Sequence, residues 1–518
     1  MEMIRLRDFA AYMGGEILQG DPDTPVTGVC TDTRKVKPGD AFFALIGERD
    51  GHQYAETALL GGAAGCVVSK ELPGITDRCG DGASETQPFF VLVKDTTKAL
   101  GDLARAYRAQ FSIPVVGVTG SVGKTTTKDT IAAVLSAGYE TLKTEGNYNN
   151  HLGVPLTLLR LDSSYEAAVI EMGMNHPGEI AYLTGIAQPT IAVITNIGDA
   201  HLENMGSREN TLRAKCEIFE GMPAGAPAVF SGDDALLTAL TPDVSAKIAQ
   251  GGHRILYVGT EQACVPAQQL AVRTTEFRDR LADRIECDVI CTDAACRPGS
   301  PMAERAVAEM TGAETSCTLS MPALGRHMVY PMMMAAAVGH QLGLDDAQIR
   351  EGLSMYVATP MRMQVTRAGE DGRVTLINDA YNANPQSMKN ALSILSGIGR
   401  TEGMCKVAVL GDMLELGSTE EALHRGVGEA AAELDLDVLV AVGPRGAWIA
   451  QGAADALREQ RERKGGDLQV RAFAQKEEAE AYLAQFLQPG AVLLFKGSRG
   501  MRMETLWRYC RDRIDGIK

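Results

Sequence analysis

The stretch VVGVTGSVGKTTTKD, residues 115–129, starts as an apolar β-type run, passes through three glycines and turns basic and threonine-rich where a helix can begin. Gly120 and Gly123 let the backbone turn with its N–H groups pointing inward. Lys124 adds a positive charge, and Thr125 can place a hydroxyl on Mg²⁺ at a helix N-terminus. A strict Walker pattern would put glycine at position 118, where Val118 stands, so this is a shortened G-x-x-G-K-T loop. Strand, loop and helix together predict a phosphate cradle, for ATP or GTP.

Working outward, strands and helices alternate. After PVVGVTG come the helical KDTIAAVLSAG and the strand-like EAAVIEMG, PTIAVITNIG, APAVFSG and RILYVG. Such alternation predicts a mostly parallel, helix-covered sheet. Upstream, residues 26–95 mix short apolar runs with turn residues, which predicts a small α/β domain. TTKALGDLARAYRAQF predicts the helix that leads into the loop strand. Downstream, VTLINDAY, CKVAVLGD, LDVLVAVG and AVLLFKG each end at a polar or glycine position, the rhythm of a second doubly wound sheet. The fold class is α/β with three domains: a small α/β N-terminal domain, a central P-loop domain and a C-terminal Rossmann-like domain. Residues 262–322, rich in Thr, Arg and Cys, predict strands at the edge of the central sheet.

At 518 residues the chain is long enough for several cores. Its 50 basic and 66 acidic residues give a net charge of −16, which argues against nucleic acid or an anionic membrane as the main partner. Cys287, Cys291 and Cys296 are spaced too irregularly for a zinc knuckle, so the eleven cysteines read as reduced thiols of a cytoplasmic protein. No apolar run reaches membrane-spanning length, PMMMAAAVG at 331–339 being the nearest. The N-terminus carries charges inside a helical pattern and lacks a signal-peptide core.

Several polar residues stand where strands end. Glu171, in AAVIEMGMNHPGEI, can face the loop and take Mg²⁺, or simply cap the next turn. Asp199 and His201, in ITNIGDAHLENMGS, reach the same edge, and Lys215 follows in AKCEIF. Asn147, Asn149 and Asn150 offer neutral donors near phosphate, although turn chemistry alone also explains them.

Read in order, DTRKVKPGDAFFALIGERDGH, TGSVGKTTTKD, EGNYNNHLGVP, EMGMNHPGEI, NIGDAHLENMGS, AKCEIF, NDAYNANPQSMKNAL, LGDMLELG and KGSRGMRME resemble the Mur ligases of peptidoglycan synthesis over residues 26–507. The resemblance implies domains at 1–95, 96–358 and 359–518: one for the UDP end of the substrate, one for ATP, one for the acceptor. It implies an ATP-dependent amide ligase that joins D-alanyl-D-alanine to UDP-N-acetylmuramoyl-tripeptide through an acyl phosphate, with ATP and Mg²⁺, as a cytoplasmic monomer.

By the same resemblance, Thr119, Gly120, Ser121, Val122, Gly123, Lys124, Thr125, Thr126 and Asn149 contact the nucleotide, with Lys124 bridging its terminal phosphates. Thr125 and Glu171 hold one Mg²⁺. His201 and Lys215 lie at a second, with Lys215 as a carbamate; the alternative is a Lys215 ammonium paired with Glu217 or Glu220. Arg362, Asp379, Tyr381 and Asn382 also meet the nucleotide. Lys496, Ser498 and Arg499 receive the acceptor, while Thr33, Arg34, Glu48 and Arg49 receive the uridine end. The chain departs from the family at Pro331, usually asparagine. Competing readings are a sister ligase that adds a single amino acid, a folylpolyglutamate synthetase, and a regulatory protein that kept the fold without turnover.

Overall fold

The computed structural model describes every residue except 73–86, 199–201, 281–283, 293–314, 370–371, 400–402, 462–467 and 517–518. The chain divides into two compact units: Met1–Thr274 with Val289–Cys317 and Tyr330–Gly352, and Thr275–Asp288 with Thr318–Val329 and Leu353–Lys518.

The first unit begins with a five-stranded sheet of β1 (Glu16–Gln19), β2 (Gly28–Cys30), β3 (Asp40–Phe43), β4 (Gly65–Val68) and β5 (Phe89–Leu92), in the order β1-β5-β4-β3-β2. β2 to β5 are mutually parallel and β1 is antiparallel. Every residue of β3 and β4 is buried, as in strands covered on both faces. Helix α1 (Thr96–Arg108) follows, its first turn capped by the Asp95 carboxylate, which accepts from the Thr97 and Lys98 amides. Its buried Leu100, Leu103, Ala104 and Tyr107 fall on one face at helical spacing and join an apolar core that also holds residues from both sheets of this unit.

The second sheet comprises β6 (Val115–Thr119), β7 (Thr141–Lys143), β8 (Ala167–Glu171), β9 (Ile191–Ile194), β10 (Pro227–Ser231), β11 (Arg254–Gly259), β12 (Leu270–Arg280), β13 (Arg284–Cys291) and β14 (Thr315–Met321). Their order is β14-β13-β12-β11-β10-β9-β6-β8-β7, parallel from β12 through to β7. β12, β13 and β14 are the edge strands foreseen within 262–322. After β6 the chain goes to the outer position on one side, β7, fills the place between them with β8, then crosses to the other side of β6 at β9. The loop that follows β6 therefore sits at a topological switch point, where the crevice of an open α/β sheet forms. The helices used below are α2 (Lys124–Leu135), α3 (Gly153–Leu158), α4 (Glu179–Ala187) and α5 (Arg208–Lys215). PMMMAAAVG lies in α6 (Val329–Gln341), with Pro331 in the first turn, where a missing N–H leaves no intrahelical bond unmade. Among the described residues no helix is long and apolar enough to cross a membrane.

In the second unit, the four apolar runs of the C-terminal part become β16 (Val374–Asp379), β17 (Cys405–Gly411), β18 (Val438–Val442) and β20 (Ala491–Lys496). With β15 (Gln364–Ala368) and β19 (Gln469–Phe473) they form a sheet ordered β15-β16-β20-β17-β18-β19, parallel except for β15. Helices α7 (Pro385–Gly397), α8 (Glu420–Ala432) and α9 (Gly446–Arg461) connect its strands. The charged run 457–467 ends α9, and its last six residues lie outside the described residues.

Candidate active site

Strand β6 delivers Thr119 to the sheet edge, the chain turns through Gly120 to Gly123, and α2 starts at Lys124. Both glycines have positive φ, +146° at Gly120 and +83° at Gly123. A Cβ at Gly120 would also stand 1.9 Å from Thr195 Oγ1, so the position excludes any side chain on two grounds. The next strand grips the loop. Asn196 accepts from the Ser121 amide through its carbonyl (3.0 Å) and from the Val122 amide through its side chain (3.0 Å). Thr195 Oγ1 and Asn196 Nδ2 both donate to the Val122 carbonyl, at 2.7 and 3.0 Å. Ser121 Oγ accepts from the Gly198 amide (2.8 Å), and Thr119 Oγ1 donates to the Met172 carbonyl (2.9 Å). Lys124 Nζ folds back onto the Gly120 and Ser121 carbonyls, at 2.8 and 3.3 Å. Thr125 is buried in the first turn of α2, next to Thr126.

Glu171 ends β8, the neighbour of β6, and is only 2% exposed. Its Oε1 accepts from Asn149 Nδ2 at 2.8 Å, while its Oε2 is buried without a hydrogen-bond partner. An ionised oxygen left bare inside a protein is costly unless something positive meets it. This donor set fits a hard, oxygen-seeking cation such as Mg²⁺, which takes one or two protein oxygens and completes its shell with water and phosphate. The asparagines differ in their partners. Asn149 serves the carboxylate, whereas Asn150 Oδ1 accepts from the Leu152 and Gly153 amides at the start of α3, which is turn chemistry.

Lys215 ends α5 with its side chain 2% exposed. Burial, and then the positive charge of Lys124, hold its amine well below the usual lysine range. The two carboxylates that could have kept it an ammonium are engaged elsewhere. Glu217 accepts from the Gly178 and Ala181 amides at the N-terminus of α4 (2.8 and 3.1 Å), and Glu220 pairs with Lys247 at 2.7 Å. Lys215 is thus an amine whose surroundings favour the neutral form. His201 and Asp199 lie outside the described residues.

In the second unit, register pairs Asp379 at the end of β16 with Lys496 at the end of β20. Lys496 Nζ donates to Asp379 Oδ2 (2.6 Å) and to the Asn382 carbonyl (3.0 Å), and Asp379 Oδ1 accepts from the Met363 amide (3.1 Å). The Arg362 guanidinium lies 4.1 Å from the centre of the Tyr381 ring, with its Nε buried and unpartnered. Met361 and Met363 on either side have φ of +62° and +47°, a left-handed backbone that costs energy in methionine and that fixes where Arg362 points. Ser498 is buried: its Oγ accepts from the Leu414 amide (2.9 Å) and its own amide donates to the Asp412 carbonyl (3.0 Å). Arg499 is half-exposed and donates to Glu504 at 2.7 Å.

Two family models match this chain: the Mur ligase middle domain over residues 118–339, and the Mur ligase, glutamate ligase domain over 361–499. A UDP-N-acetylmuramoyl-tripeptide–D-alanyl-D-alanine ligase of Bacillus subtilis is 35% identical, the alignment covering 93% of each chain. The chain belongs to the Mur ligase family. Among solved structures, MurF from Acinetobacter baumannii superposes with a TM-score of 0.79 at 30% identity over 99% of each chain. MurF from Thermotoga maritima, solved in complex with ADP, gives 0.72 at 26% identity over 95% of this chain and 99% of that one.

The residues expected at the uridine end of this Mur ligase gather at one edge of the first sheet. Thr33 and Arg34 form a helical turn just beyond β2, and Glu48 and Arg49 lie in the loop beyond the parallel neighbour β3. Arg34 is 86% exposed and is held by Asp32 at 2.7 Å, while Arg49 reaches Tyr54 Oη at 3.4 Å. Buried His52 stiffens the second loop: its Nδ1 meets Asp50, and its Nε2 accepts from the Ser69 amide at 2.9 Å. Sequence reasoning passed over His52, Thr195 and Asn196, although all three stand inside motifs it had singled out.

Proposed function

We propose that this Mur ligase joins D-alanyl-D-alanine to UDP-N-acetylmuramoyl-tripeptide, consuming ATP and forming an acyl phosphate on the way. The observation that carries the proposal is the edge shared by β6 and β8: a phosphate loop, the uncompensated Oε2 of Glu171 and the neutral-leaning Lys215. The relative in Bacillus subtilis, named for this reaction, and the ADP complex of the Thermotoga maritima protein support it. We further propose domains at 1–95, 96–358 and 359–518, with the uridine end, ATP and acceptor assigned to them in that order.

A carboxylate resists attack by an amine because its oxygen is a poor leaving group. Transfer of the γ-phosphoryl group of ATP to the tripeptide carboxylate makes phosphate the leaving group, and the dipeptide amine then displaces it, giving an amide, ADP and phosphate. The Ser121 and Val122 amides are taken by Asn196, so the loop they brace serves as a fixed frame at the start of α2, where the Lys124 ammonium positions the phosphates and stabilises the charge that spreads over the transferring group. Thr125 and Glu171 would hold one Mg²⁺, with His201 and Lys215 at a second, and the cation supplies further charge neutralisation when bound. The Lys215 amine, disposed toward its neutral form, can attack CO₂ through its nitrogen lone pair and release a proton to become a carbamate anion, matching the charge a cation needs. Asp379 suits the ribose hydroxyls and Arg362, beside Tyr381 and Asn382, the phosphates. Arg499 suits the dipeptide carboxylate. Lys496 and Ser498 stand beside Arg499 in the segment assigned to the acceptor; Lys496 also holds Asp379, and Ser498 holds the Leu414 loop.

The test is ADP release with purified substrates. Turnover is expected only when UDP-tripeptide and D-alanyl-D-alanine are both present, and single D- or L-amino acids should not replace the dipeptide. Equal turnover with a diamino acid and the UDP-dipeptide would reassign the chain to a sister ligase.

A further inference from the structure

Lys128 lies one turn beyond Thr125 on α2, so the two share a helix face. Although lysine is rarely fully buried, Lys128 is 2% exposed. Its Nζ pairs with Asp129 at 2.9 Å, itself 5% exposed and also bound by Lys143 at 2.8 Å, and donates to the Thr144 carbonyl at 2.7 Å. Thr144 is fully buried just past the end of β7. Its amide continues the ladder to the Val169 carbonyl (3.1 Å), after which its side chain takes over: Oγ1 accepts the Glu171 amide at 3.0 Å. A threonine hydroxyl thus does the work of a missing strand residue at the very position of the bare carboxylate.

We propose that Lys128 and Thr144 are positioning residues that clip α2 to the end of β8, fixing the distance between Thr125 and Glu171, and so tune the affinity of the cation site. The inference rests on the reading of Thr125 and Glu171 as Mg²⁺ ligands. The clip has two links. The Lys128 ammonium ties the helix to the Thr144 carbonyl, which would otherwise be a buried orphan where β7 leaves the sheet. The Thr144 hydroxyl ties that point to the Glu171 backbone. Asn149 restrains the same carboxylate from the side-chain end, which leaves Oε2 as its free oxygen. Partners of metal ligands act in this way, setting orientation without touching the ion.

The test is calorimetric ADP binding with Mg²⁺ and with EDTA, on wild type, Thr144→Val, Thr144→Ser and Glu171→Gln. Thr144→Val keeps the shape and removes the acceptor. It should cut the Mg²⁺-dependent gain in ADP affinity about tenfold, leaving affinity in EDTA unchanged, while Thr144→Ser keeps the gain. Lys128→Met should move the same way as Thr144→Val, which stands as the test should Lys128→Met fail to fold. A full Mg²⁺ gain in Thr144→Val, or equal losses with and without the metal, would overturn the clip. A full gain in Glu171→Gln would overturn the metal reading itself, a failure distinguishable from the first.

Discussion

Lys124→Ala is expected to lower turnover by roughly 10³-fold or more while leaving affinity for the UDP-tripeptide within about twofold of wild type. The lysine acts where negative charge concentrates as the γ-phosphoryl group moves, and two amines near it are poor substitutes: burial alone already disfavours the Lys215 ammonium, and Lys128 is held by Asp129 and the Thr144 carbonyl. At rest the ammonium donates to the Gly120 and Ser121 carbonyls, at the loop where the phosphate would recruit it. The uridine end is assigned to a different sheet, at the ends of β2 and β3. Steady-state kinetics and calorimetry of UDP-substrate binding check the two halves separately. A large loss of UDP-substrate affinity would show that the uridine is held elsewhere.

Lys215→Ala should be nearly inactive, with partial recovery in acetate or formate. Inside the protein an ammonium beside a cation is repelled, whereas an oxygen anion is welcomed. Burial, and then the charge of Lys124, already disfavour the ammonium. A small carboxylate entering the space left by the side chain would restore the missing negative charge. Depleting CO₂ and bicarbonate should slow the wild-type enzyme reversibly if the carbamate exchanges during the assay. Had Glu217 been the partner of Lys215, added carboxylate would have nothing to replace, but Glu217 caps α4 instead. Near-normal activity in Lys215→Ala with no carboxylate effect would remove this residue from the site and leave the phosphate loop untouched.

The readable part of this molecule was the part written in short-range pattern. Apolar runs that stop at glycine or a polar residue marked β6, β8, β9 and the four main strands of the second unit, because a strand buried on both faces admits little else. Glu171 was legible for the same reason, as the first charge after AAVI. What escaped was set by register between distant segments. Asp379 and Lys496 were assigned to different ligands, yet they face each other because β16 and β20 are parallel neighbours, 117 positions apart. The grip of Asn196 on the phosphate loop needs β9 to lie beside β6, which no local spacing announces. Lys128 and Thr144 were hidden differently: a lysine among threonines at the start of a helix reads as surface, and only the packing shows it buried. Asn150, by contrast, behaved as turn chemistry dictates.

The central claim, that the tripeptide carboxylate is activated as an acyl phosphate, a mixed anhydride, before the amine attacks, is tested most directly by isotope transfer. UDP-tripeptide carrying oxygen-18 in its terminal carboxylate is turned over with ATP, Mg²⁺ and D-alanyl-D-alanine, and the products are read by mass spectrometry. The account predicts ADP free of label, inorganic phosphate bearing an oxygen-18 atom from the carboxylate, and an amide product retaining the other. Label in AMP with release of pyrophosphate, or phosphate without label, would contradict it.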